Sequence, residues 1–426
     1  MSMPLSLLGY RIATWAATPI ASPLLSLRLR RGKEDPKRLD ERRGLSRRER
    51  PKGPLIWLHG ASVGESLSLL PLIERLTQAG LGALVTTGTV TSAHLMERRL
   101  PAGAFHQYAP LDAPAFARRF FAHWRPDLGL IAESELWPNM IVEAANAGVP
   151  VTMINARMSE RSYGRWRNAP KFISALLERI DLSLAQSRGD AERLAKLGAR
   201  RVQVMGNLKY DAPAPPADRQ ELAGLAGLTS GRPIWVAAST HDGEERIAAI
   251  AHRRVAKRFP DLLTLIAPRH PFRAAAIEAE LRSAGFSTAL RSRGEKPHAD
   301  VEIYICDTMG ELGLLYRLAG IVFVGKSLTG QGGQNPIEAA KLASAILHGP
   351  SVANFRDVYA GLDASGGATQ TVDAEDLASQ LIALFGDPGR LRAMARAAAE
   401  TVERQSGAAD RAMAALGGRL AAASAA

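Results

Sequence analysis

The stretch at residues 55–65 reads Leu-Ile-Trp-Leu-His-Gly-Ala-Ser-Val-Gly-Glu and is typical of a buried strand that ends in a turn of small residues. A helical pattern follows directly, so the order is strand, turn and helix, as in a parallel α/β sheet. Glu65 would start that helix above the carboxyl end of its strand, where α/β folds bind ligands. A carboxylate in that place is a candidate general base.

The same stretch has a second interpretation, because residues 60–64 (Gly-Ala-Ser-Val-Gly) satisfy the serine hydrolase pattern with Ser62 as nucleophile. In α/β-hydrolases the nucleophile turn normally follows several strands, whereas here it follows the first recognisable one. The candidate triad partners His270 and His348 lie far downstream, beyond a proline-rich segment. We therefore favour Glu65 over Ser62 as the reacting residue.

Short apolar runs alternate with helical patterns along the chain, in two series separated by residues 211–218 (Asp-Ala-Pro-Ala-Pro-Pro-Ala-Asp). This alternation predicts two doubly wound parallel sheets. The predicted strands are residues 55–58, 83–87, 128–132, 151–155, 182–186 and 202–205 in the first series, and residues 234–238, 263–267, 301–306, 321–324 and 345–348 in the second.

We accordingly expect an α/β protein with two Rossmann-like domains that face each other across a cleft. The expected division is a membrane anchor with a basic flank at 1–50, a Rossmann-like domain at 51–210, a linker at 211–228, a second Rossmann-like domain at 229–400 and a C-terminal helix at 401–426.

The N-terminal segment combines an apolar stretch with a basic one. Residues 3–29 are apolar apart from Arg11 and the final Arg28, and residues 28–50 hold eleven Lys and Arg against five Asp and Glu, half of the formal net charge of +12. This order predicts an interfacial or spanning anchor held against anionic lipid, with an irregular amphipathic segment folded onto the protein as the alternative. Nucleic acid is not expected, because aromatic residues are not interleaved with the charges. The only cysteine, Cys306, excludes a disulfide framework.

Two glycine patterns in the second half suggest phosphate binding. Residues 320–327 (Gly-Ile-Val-Phe-Val-Gly-Lys-Ser) match the Walker A pattern, but the four intervening residues have the sequence of a strand, which argues against a phosphate loop. Residues 329–338 form the better candidate, a glycine-rich loop that enters a helix at Pro336. Glu338 is then placed to accept hydrogen bonds from sugar hydroxyls or to stabilise the helix start.

Polar clusters follow other predicted strands. Glu133 and Glu135 follow the strand at 128–132, Arg269 follows the strand at 263–267, and Lys209 lies at the end of the first series. Two acids at the end of an apolar strand are hard to explain as core, and Arg269 suits a phosphate or nucleotide. The sequence contains neither an Asp-x-Asp motif nor a His-Glu-x-x-His motif, so we expect no metal.

Taken in order and spacing, eight sequence blocks resemble the 3-deoxy-D-manno-octulosonic acid (Kdo) transferases of lipopolysaccharide synthesis, and the similarity extends to about residue 360. The blocks are His-Gly-Ala-Ser-Val-Gly-Glu (59–65), Glu-Ser-Glu-Leu-Trp-Pro-Asn (133–139), Asn-Ala-Arg-Met-Ser (155–159), Gly-Asn-Leu-Lys-Tyr-Asp (206–211), Ser-Thr-His-Asp-Gly-Glu-Glu (239–245), Pro-Arg-His-Pro (268–271), Asp-Thr-Met-Gly-Glu-Leu (307–312) and Asn-Pro-Ile-Glu (335–338).

The resemblance implies a GT-B glycosyltransferase that needs no metal or cofactor and inverts the anomeric centre. It would move Kdo from CMP-Kdo to lipid IVA, the lipid A precursor, at the cytoplasmic face of the bacterial inner membrane. The resemblance places the general base on Glu65 and transition-state stabilisation on Glu133 and Lys209. It places the CMP contacts on Pro268, Arg269, Met309, Gly310, Glu311, Asn335, Pro336, Ile337 and Glu338.

The chain departs from the family pattern beside the expected donor site. Lys326 stands where the family usually has Gly, and Gln334 stands where His is frequent. A membrane-tethered nucleotide-binding protein without turnover is the remaining alternative. Separately, we expect a basic run to bind the phosphates of the lipid acceptor: Arg157, Arg161, Arg165, Arg167 and Lys171.

Overall fold

The computed structural model describes residues 3–330 and 332–425, and the chain forms two compact units. Unit 1 contains the residues up to Ala212 together with those from Gln405 onward, and unit 2 is Pro213–Arg404. Met1 and Ser2 of the expected anchor, Gln331 of the expected glycine-rich loop and Ala426 of the expected C-terminal helix lie outside the described residues.

Each unit is built around a parallel sheet of seven strands. The strands of unit 1 are β1 (Leu55–His59), β2 (Gly82–Thr87), β3 (Ala104–Tyr108), β4 (Leu128–Ala132), β5 (Val151–Ala156), β6 (Leu182–Ala185) and β7 (Val202–Val204). Those of unit 2 are β8 (Ile234–Thr240), β9 (Leu263–Pro268), β10 (Thr288–Leu290), β11 (Ile303–Ile305), β12 (Ile321–Val324), β13 (Ala345–His348) and β14 (Ala368–Gln370).

Helices connect and cover the strands of both sheets. They are α1 (Leu5–Ala16), α2 (Ala21–Arg30), α3 (Val63–Gln78), α4 (Val90–Arg99), α5 (Pro114–Trp124), α6 (Pro138–Asn146), α7 (Glu160–Trp166), α8 (Pro170–Leu177), α9 (Arg188–Lys196), α10 (Arg219–Leu228), α11 (Glu244–Val255), α12 (Ala274–Ser283), α13 (Leu312–Leu318), α14 (Ile337–Lys341), α15 (Arg356–Ala364), α16 (Ala374–Gly386), α17 (Pro388–Gln405) and α18 (Ala408–Ala425).

Both sheets reverse their strand order at one central point. The order is β3-β2-β1-β4-β5-β6-β7 in unit 1 and β10-β11-β9-β8-β12-β13-β14 in unit 2. The reversal therefore lies between β1 and β4, and between β8 and β12, which are paired in parallel. Ligands of doubly wound sheets bind at such points, beyond the carboxyl ends of the strands.

The central strands are buried on both faces, which explains their continuous apolar sequences. Each of the eleven predicted strands corresponds to an observed one. The prediction missed β3, β10 and β14, and each of these is an edge strand. An edge strand has one neighbour and less burial, so β3 carries His106 and Gln107, and β10 and β14 have three residues each.

Two segments contain helices that the sequence analysis did not assign. The segment expected as a linker at residues 211–228 contains a helix, α10, whose start is capped by the Asp218 side chain. The N-terminal apolar stretch forms two short helices, α1 and α2, of 12 and 10 residues. Within residues 3–330 and 332–425 no helix is long and apolar enough to cross a bilayer.

Candidate functional site

Strained backbone marks the carboxyl ends of the central strands. Of the described non-glycine residues, six have positive φ, a conformation that favours glycine, and four of them lie at the ends of β4, β5, β8 and β12. Such strain persists only where the surrounding structure enforces it, and it is frequent at functional sites. The four residues are Glu133, Asn155, Ser239 and Lys326.

Glu65 lies at the reversal point of unit 1, in the first turn of α3. The N-cap Ser62 accepts a hydrogen bond from the Glu65 backbone N–H, at 3.3 Å from N to Oγ, and its hydroxyl donates to Glu65 Oε1 at 2.7 Å. The Ala61 N–H donates to Glu65 Oε2 at 2.8 Å. These contacts form a variant of the capping box in which the acid binds the N–H of the residue before the N-cap, so the helix start fixes the orientation of the carboxylate.

The same geometry bears on the serine hydrolase alternative. The partner of the Ser62 hydroxyl is a carboxylate, and among the described residues no histidine is hydrogen-bonded to it. A hydrolytic serine requires an adjacent base that is itself oriented by a third group. The local contacts of Ser62 are those of a helix cap.

Glu133 and Lys209, expected to act together, form an ion pair with 2.9 Å between Glu133 Oε1 and Lys209 Nζ. Glu133 directly follows β4, and its N–H donates to the Ile154 carbonyl oxygen at 2.9 Å. Lys209 lies in a 3₁₀ turn, Leu208–Tyr210, that the Asn207 side chain caps. Both charged side chains are largely buried, with relative exposures of 14% and 19%.

Asn155 connects the two halves of this ion pair, a role that no sequence pattern indicated. It is fully buried in β5, where the pairing with β6 is irregular between Met153 and Ala156. Its Oδ1 accepts the Leu208 N–H at 3.0 Å, one residue before Lys209. The carbonyl oxygen of the preceding residue, Ile154, accepts the Glu133 N–H. The irregular part of β5 therefore positions both partners of the ion pair.

Glu135 adds a third acid to the unit 1 site. It accepts a hydrogen bond from Trp137 Nε1 at 2.6 Å. Burial raises the pKa of the Glu135 carboxyl, the Trp137 bond opposes this, and the charges of Glu65 and Glu133 raise it further. His59, whose ring meets that of Trp137 edge to face, has its pKa lowered to about 4 by burial, so it is neutral at pH 7.

In unit 2, a buried carboxylate fills the loop that matched the Walker A pattern. Glu244 Oε1 accepts the N–H groups of Ser327 and Leu328 at 2.9 and 3.0 Å, and Oε2 accepts those of His241 and Lys326 at 2.8 and 2.7 Å. The amides that a phosphate loop would offer are therefore already bonded. The strand β12 occupies residues 321–324, as the sequence analysis predicted.

The expected nucleotide contacts lie in loops after β9, β11 and β12 of unit 2. Pro268 ends β9, and the Arg269 side chain is exposed while its N–H donates to the Thr240 carbonyl oxygen at 3.0 Å. Met309 has 74% of its surface exposed. Arg291 donates from Nε to Glu311 Oε2 at 2.6 Å, which fixes the acid at the end of that loop.

The remaining expected contacts surround the start of α14. Asn335 Oδ1 accepts the Ile337 N–H at 3.1 Å, and Pro336 is the N-cap of this helix of five residues. Glu338 lies in the first turn and is half-buried. Within the described part of the chain, no group of three or more His, Cys, Asp and Glu side chains is arranged to hold a metal ion.

The family model and the relatives that match this chain belong to one protein family. Residues 37–212 match the family model "3-Deoxy-D-manno-octulosonic-acid transferase (kdotransferase)". A 3-deoxy-D-manno-octulosonic acid transferase of Rickettsia bellii is 32% identical over 385 residues, covering 90% of this chain and 91% of the relative. That of Bordetella pertussis is 35% identical over 377 residues, covering 86% and 87%.

A solved structure is similar over both units. The glycosyltransferase from Rickettsia africae superposes with a TM-score of 0.58 at 13% identity, over 87% of this chain and 98% of that one. At this identity the likeness concerns the fold alone.

Proposed function

Because the chain belongs to the 3-deoxy-D-manno-octulosonic acid (Kdo) transferase family, we propose that it moves Kdo from CMP-Kdo to lipid IVA at the cytoplasmic face of the bacterial inner membrane. It is a glycosyltransferase of lipopolysaccharide synthesis, and the serine hydrolase alternative is therefore wrong. The observation that carries the assignment of catalytic roles is the pairing of Glu133 with Lys209 at the reversal point that Glu65 also occupies.

Glu65 is the proposed general base. The attacking alcohol of the acceptor is a poor nucleophile until a base removes its proton. A carboxylate has about four lone-pair positions, and the capping contacts with Ala61 and Ser62 use two of them. Glu65 therefore retains acceptor capacity for the hydroxyl proton while the helix cap holds its orientation.

Lys209 is proposed to stabilise the transition state. Negative charge develops on the leaving phosphate as the bond to Kdo breaks, and a preorganised cation lowers the energy of that charge. The ion pair with Glu133 and the turn bound by Asn155 hold the ammonium group in place before substrate arrives.

Unit 2 is proposed to hold the donor. Arg269 presents a rigid cation for a phosphate group, and the loops at Met309–Glu311 and Asn335–Glu338 contribute the other contacts to CMP. Cationic side chains then supply the charge compensation that a metal supplies in other transferases, in keeping with the family's metal-independent reaction.

The basic run around α7 is proposed to bind the acceptor phosphates. Arg161, Arg165, Arg167 and Lys171 are exposed, and no ion pair to another described residue is found for them or for Arg157. Trp166 and Phe172 stack beside them with ring centroids 6.1 Å apart, which adds an apolar surface next to the cations.

Reversing two of these charges, Arg161→Glu with Arg165→Glu, is expected to raise the KM for lipid IVA about tenfold, the equivalent of about 1.4 kcal/mol. The KM for CMP-Kdo should stay unchanged in the same steady-state assay. Arg392→Glu with Arg396→Glu, on α17 of unit 2, makes the same change in net charge and is the control. An unchanged KM for lipid IVA would show that the basic run does not bind the acceptor.

Helix α1 is proposed to lie on the membrane surface, because its apolar side faces outward. Leu5, Leu8, Ile12 and Trp15 have exposures of 84, 41, 55 and 65% and recur at helical spacing. Ile20, Leu24 and Leu27 continue the exposed apolar surface, followed by exposed Arg30, Arg31 and Lys33. Apolar side chains bordered by cations fit an anionic lipid surface.

The polar side of α1 faces the protein. Arg11 pairs with the buried Glu143 at 2.5 Å, and the Tyr10 hydroxyl donates to Asp112 Oδ2 at 2.9 Å. Asn139 Nδ2 donates to Thr14 Oγ1 at 3.0 Å. The helix is therefore attached to unit 1 through these polar residues and the fully buried Leu7, which leaves the exposed apolar stripe for lipid.

The substitution Trp15→Glu is expected to release most of the protein from vesicles that contain anionic phospholipid, measured by co-sedimentation. It removes a large apolar side chain and adds a charge repelled by the surface. Ile250→Glu, at a residue of unit 2 with 45% exposure, serves as the control and should bind like the unmodified protein. Equal sedimentation of both variants would contradict the proposed membrane contact.

The proposed function is tested by incubating the purified protein with CMP-Kdo and lipid IVA in detergent micelles and measuring the mass of the lipid product. We expect a gain of one or more Kdo units with release of CMP. CMP release without a heavier lipid would contradict the proposed acceptor. Binding of CMP-Kdo with neither product would support the nucleotide-binding protein without turnover.

A further inference from the structure

Lys326 occupies a backbone conformation that glycine would adopt with less strain. Its φ is +61°, in the left-handed region where the Cβ of an L-residue is crowded. The loop enforces this conformation, because the Lys326 N–H donates to Glu244 at 2.7 Å and its carbonyl oxygen accepts the Gly333 N–H at 3.0 Å. A lysine in this strained conformation indicates that its side chain has a function.

The buried carboxylate of Glu244 fixes Lys326 beside the end of β8. The same oxygen, Oε2, accepts the N–H groups of Lys326 and His241. These two residues follow β12 and β8, the strands between which the order of the unit 2 sheet reverses. Lys326 therefore lies at the point of this unit where a doubly wound sheet binds its ligand.

The loop leaves space for the Lys326 side chain. A Cβ at Gly330 would lie 2.7 Å from Lys326 Cγ. The absence of a side chain at Gly330 therefore leaves room for the aliphatic part of Lys326. The side chain is half-buried, and no ion pair to another described residue is found for its ammonium group.

Other cationic groups surround the same point. Burial lowers the pKa of His241, and the charges of Lys326, His270 and Arg269 lower it further, whereas Glu244 opposes them. The rings of His241 and His270 lie 5.7 Å apart. The Gln334 side-chain nitrogen lies 3.1 Å from His241 Nε2, within hydrogen-bond distance of the imidazole. Lys326 and Arg269 both place positive charge near the reversal point, and a site with this charge suits an anion.

We propose that Lys326 binds an anionic group of the nucleotide-sugar donor, either the phosphate of its CMP moiety or the carboxylate of its sugar. This inference rests on the proposed function of unit 2 as the donor-binding unit. Lys326 is then a residue that determines specificity for the donor. The strained backbone of the loop positions its charged side chain.

The test is Lys326→Gly, which removes the charge and the strain together. The melting temperature is expected to rise by about 2–4 °C, while the KM for CMP-Kdo rises about tenfold, the size of effect expected from losing one charged hydrogen bond. Lys326→Met removes the charge but keeps the strain, so it should raise KM without raising the melting temperature. Lys326→Arg should keep the KM within about threefold, since it retains a cation.

Calorimetric titration distinguishes the two anionic groups. If Lys326 binds the phosphate, Lys326→Gly weakens binding of CMP alone as much as binding of CMP-Kdo. If it binds the sugar carboxylate, only CMP-Kdo is affected. An unchanged KM and unchanged affinities in Lys326→Gly would overturn the inference while the unmodified protein still transfers Kdo. Failure of the unmodified protein to transfer Kdo would instead contradict the proposed function.

Discussion

The substitution Glu65→Gln is expected to lower kcat for Kdo transfer by about 10³-fold or more, the upper range for removal of a general base. Glutamine at this third helical position keeps one acceptor oxygen for the Ala61 N–H, and its amide nitrogen donates to the Ser62 hydroxyl oxygen in place of the reverse bond, so the helix cap survives. The variant therefore removes proton acceptance without removing the helix cap. Steady-state kinetics should show the loss, and calorimetry should show CMP affinity within about twofold of the unmodified protein, since unit 2 is untouched.

Ser62→Ala is the matched control for that experiment. It removes the N-cap and should lower the free energy of unfolding by about 1 kcal/mol. Its kcat should remain within about tenfold of normal, because Ser62 orients the base but transfers no proton. A Glu65→Gln variant with nearly normal kcat would show that Glu65 is a helix-capping residue only.

The substitution Lys209→Met is expected to lower kcat by about 10²- to 10³-fold, the range found when one preorganised charge-stabilising group is removed. It should also lower the melting temperature, because the largely buried Glu133 carboxylate loses its partner. The double variant Lys209→Met with Glu133→Gln should recover the melting temperature, since no unpaired charge remains, but it should not recover kcat. Thermal unfolding and steady-state kinetics on the same preparations separate these effects.

Arg50→Met provides a control of similar burial for Lys209→Met. Arg50 pairs with Asp127 at 3.3 Å, both side chains have 21% exposure, and Asp127 immediately precedes β4, at the opposite end of that strand from Glu133. This variant should lose stability and keep kcat. Equal kcat losses in Arg50→Met and Lys209→Met would contradict a specific role for Lys209.

Much of the fold was predictable because buried parallel strands need continuous apolar sequences. The runs at β1, β4 and β12 are fully buried and are recognisable from sequence alone. Edge strands lack that signal, since their unpaired side allows polar residues and short lengths. β3, with His106 and Gln107, was missed for that reason.

The candidate site was only partly predictable. Position after a strand singled out Glu65 and Glu133, but the ion pair with Lys209 joins residues far apart in sequence and depends on the bulge at Asn155. The role of Glu244 was not predictable from the sequence either, because three of its four amide partners lie more than 80 residues downstream. Such contacts arise from tertiary geometry, which local patterns do not encode.

The orientation of α1 illustrates the same limit. Its apolar residues predicted contact with a membrane or with the protein core, and sequence periodicity does not distinguish the two. Only the partners of Arg11 and Tyr10 show that the polar side faces the protein.

We propose that CMP is displaced in a single step by a hydroxyl that Glu65 deprotonates. The most direct measurement is the anomeric configuration, by NMR, of the Kdo residue in the product formed from CMP-Kdo and lipid IVA. We expect a configuration opposite to that of the donor, because one displacement inverts the reacting carbon. Retention of the donor configuration would contradict this mechanism. Retention requires two successive displacements through an intermediate, and a mechanism in which Glu65 acts only as a base forms no such intermediate.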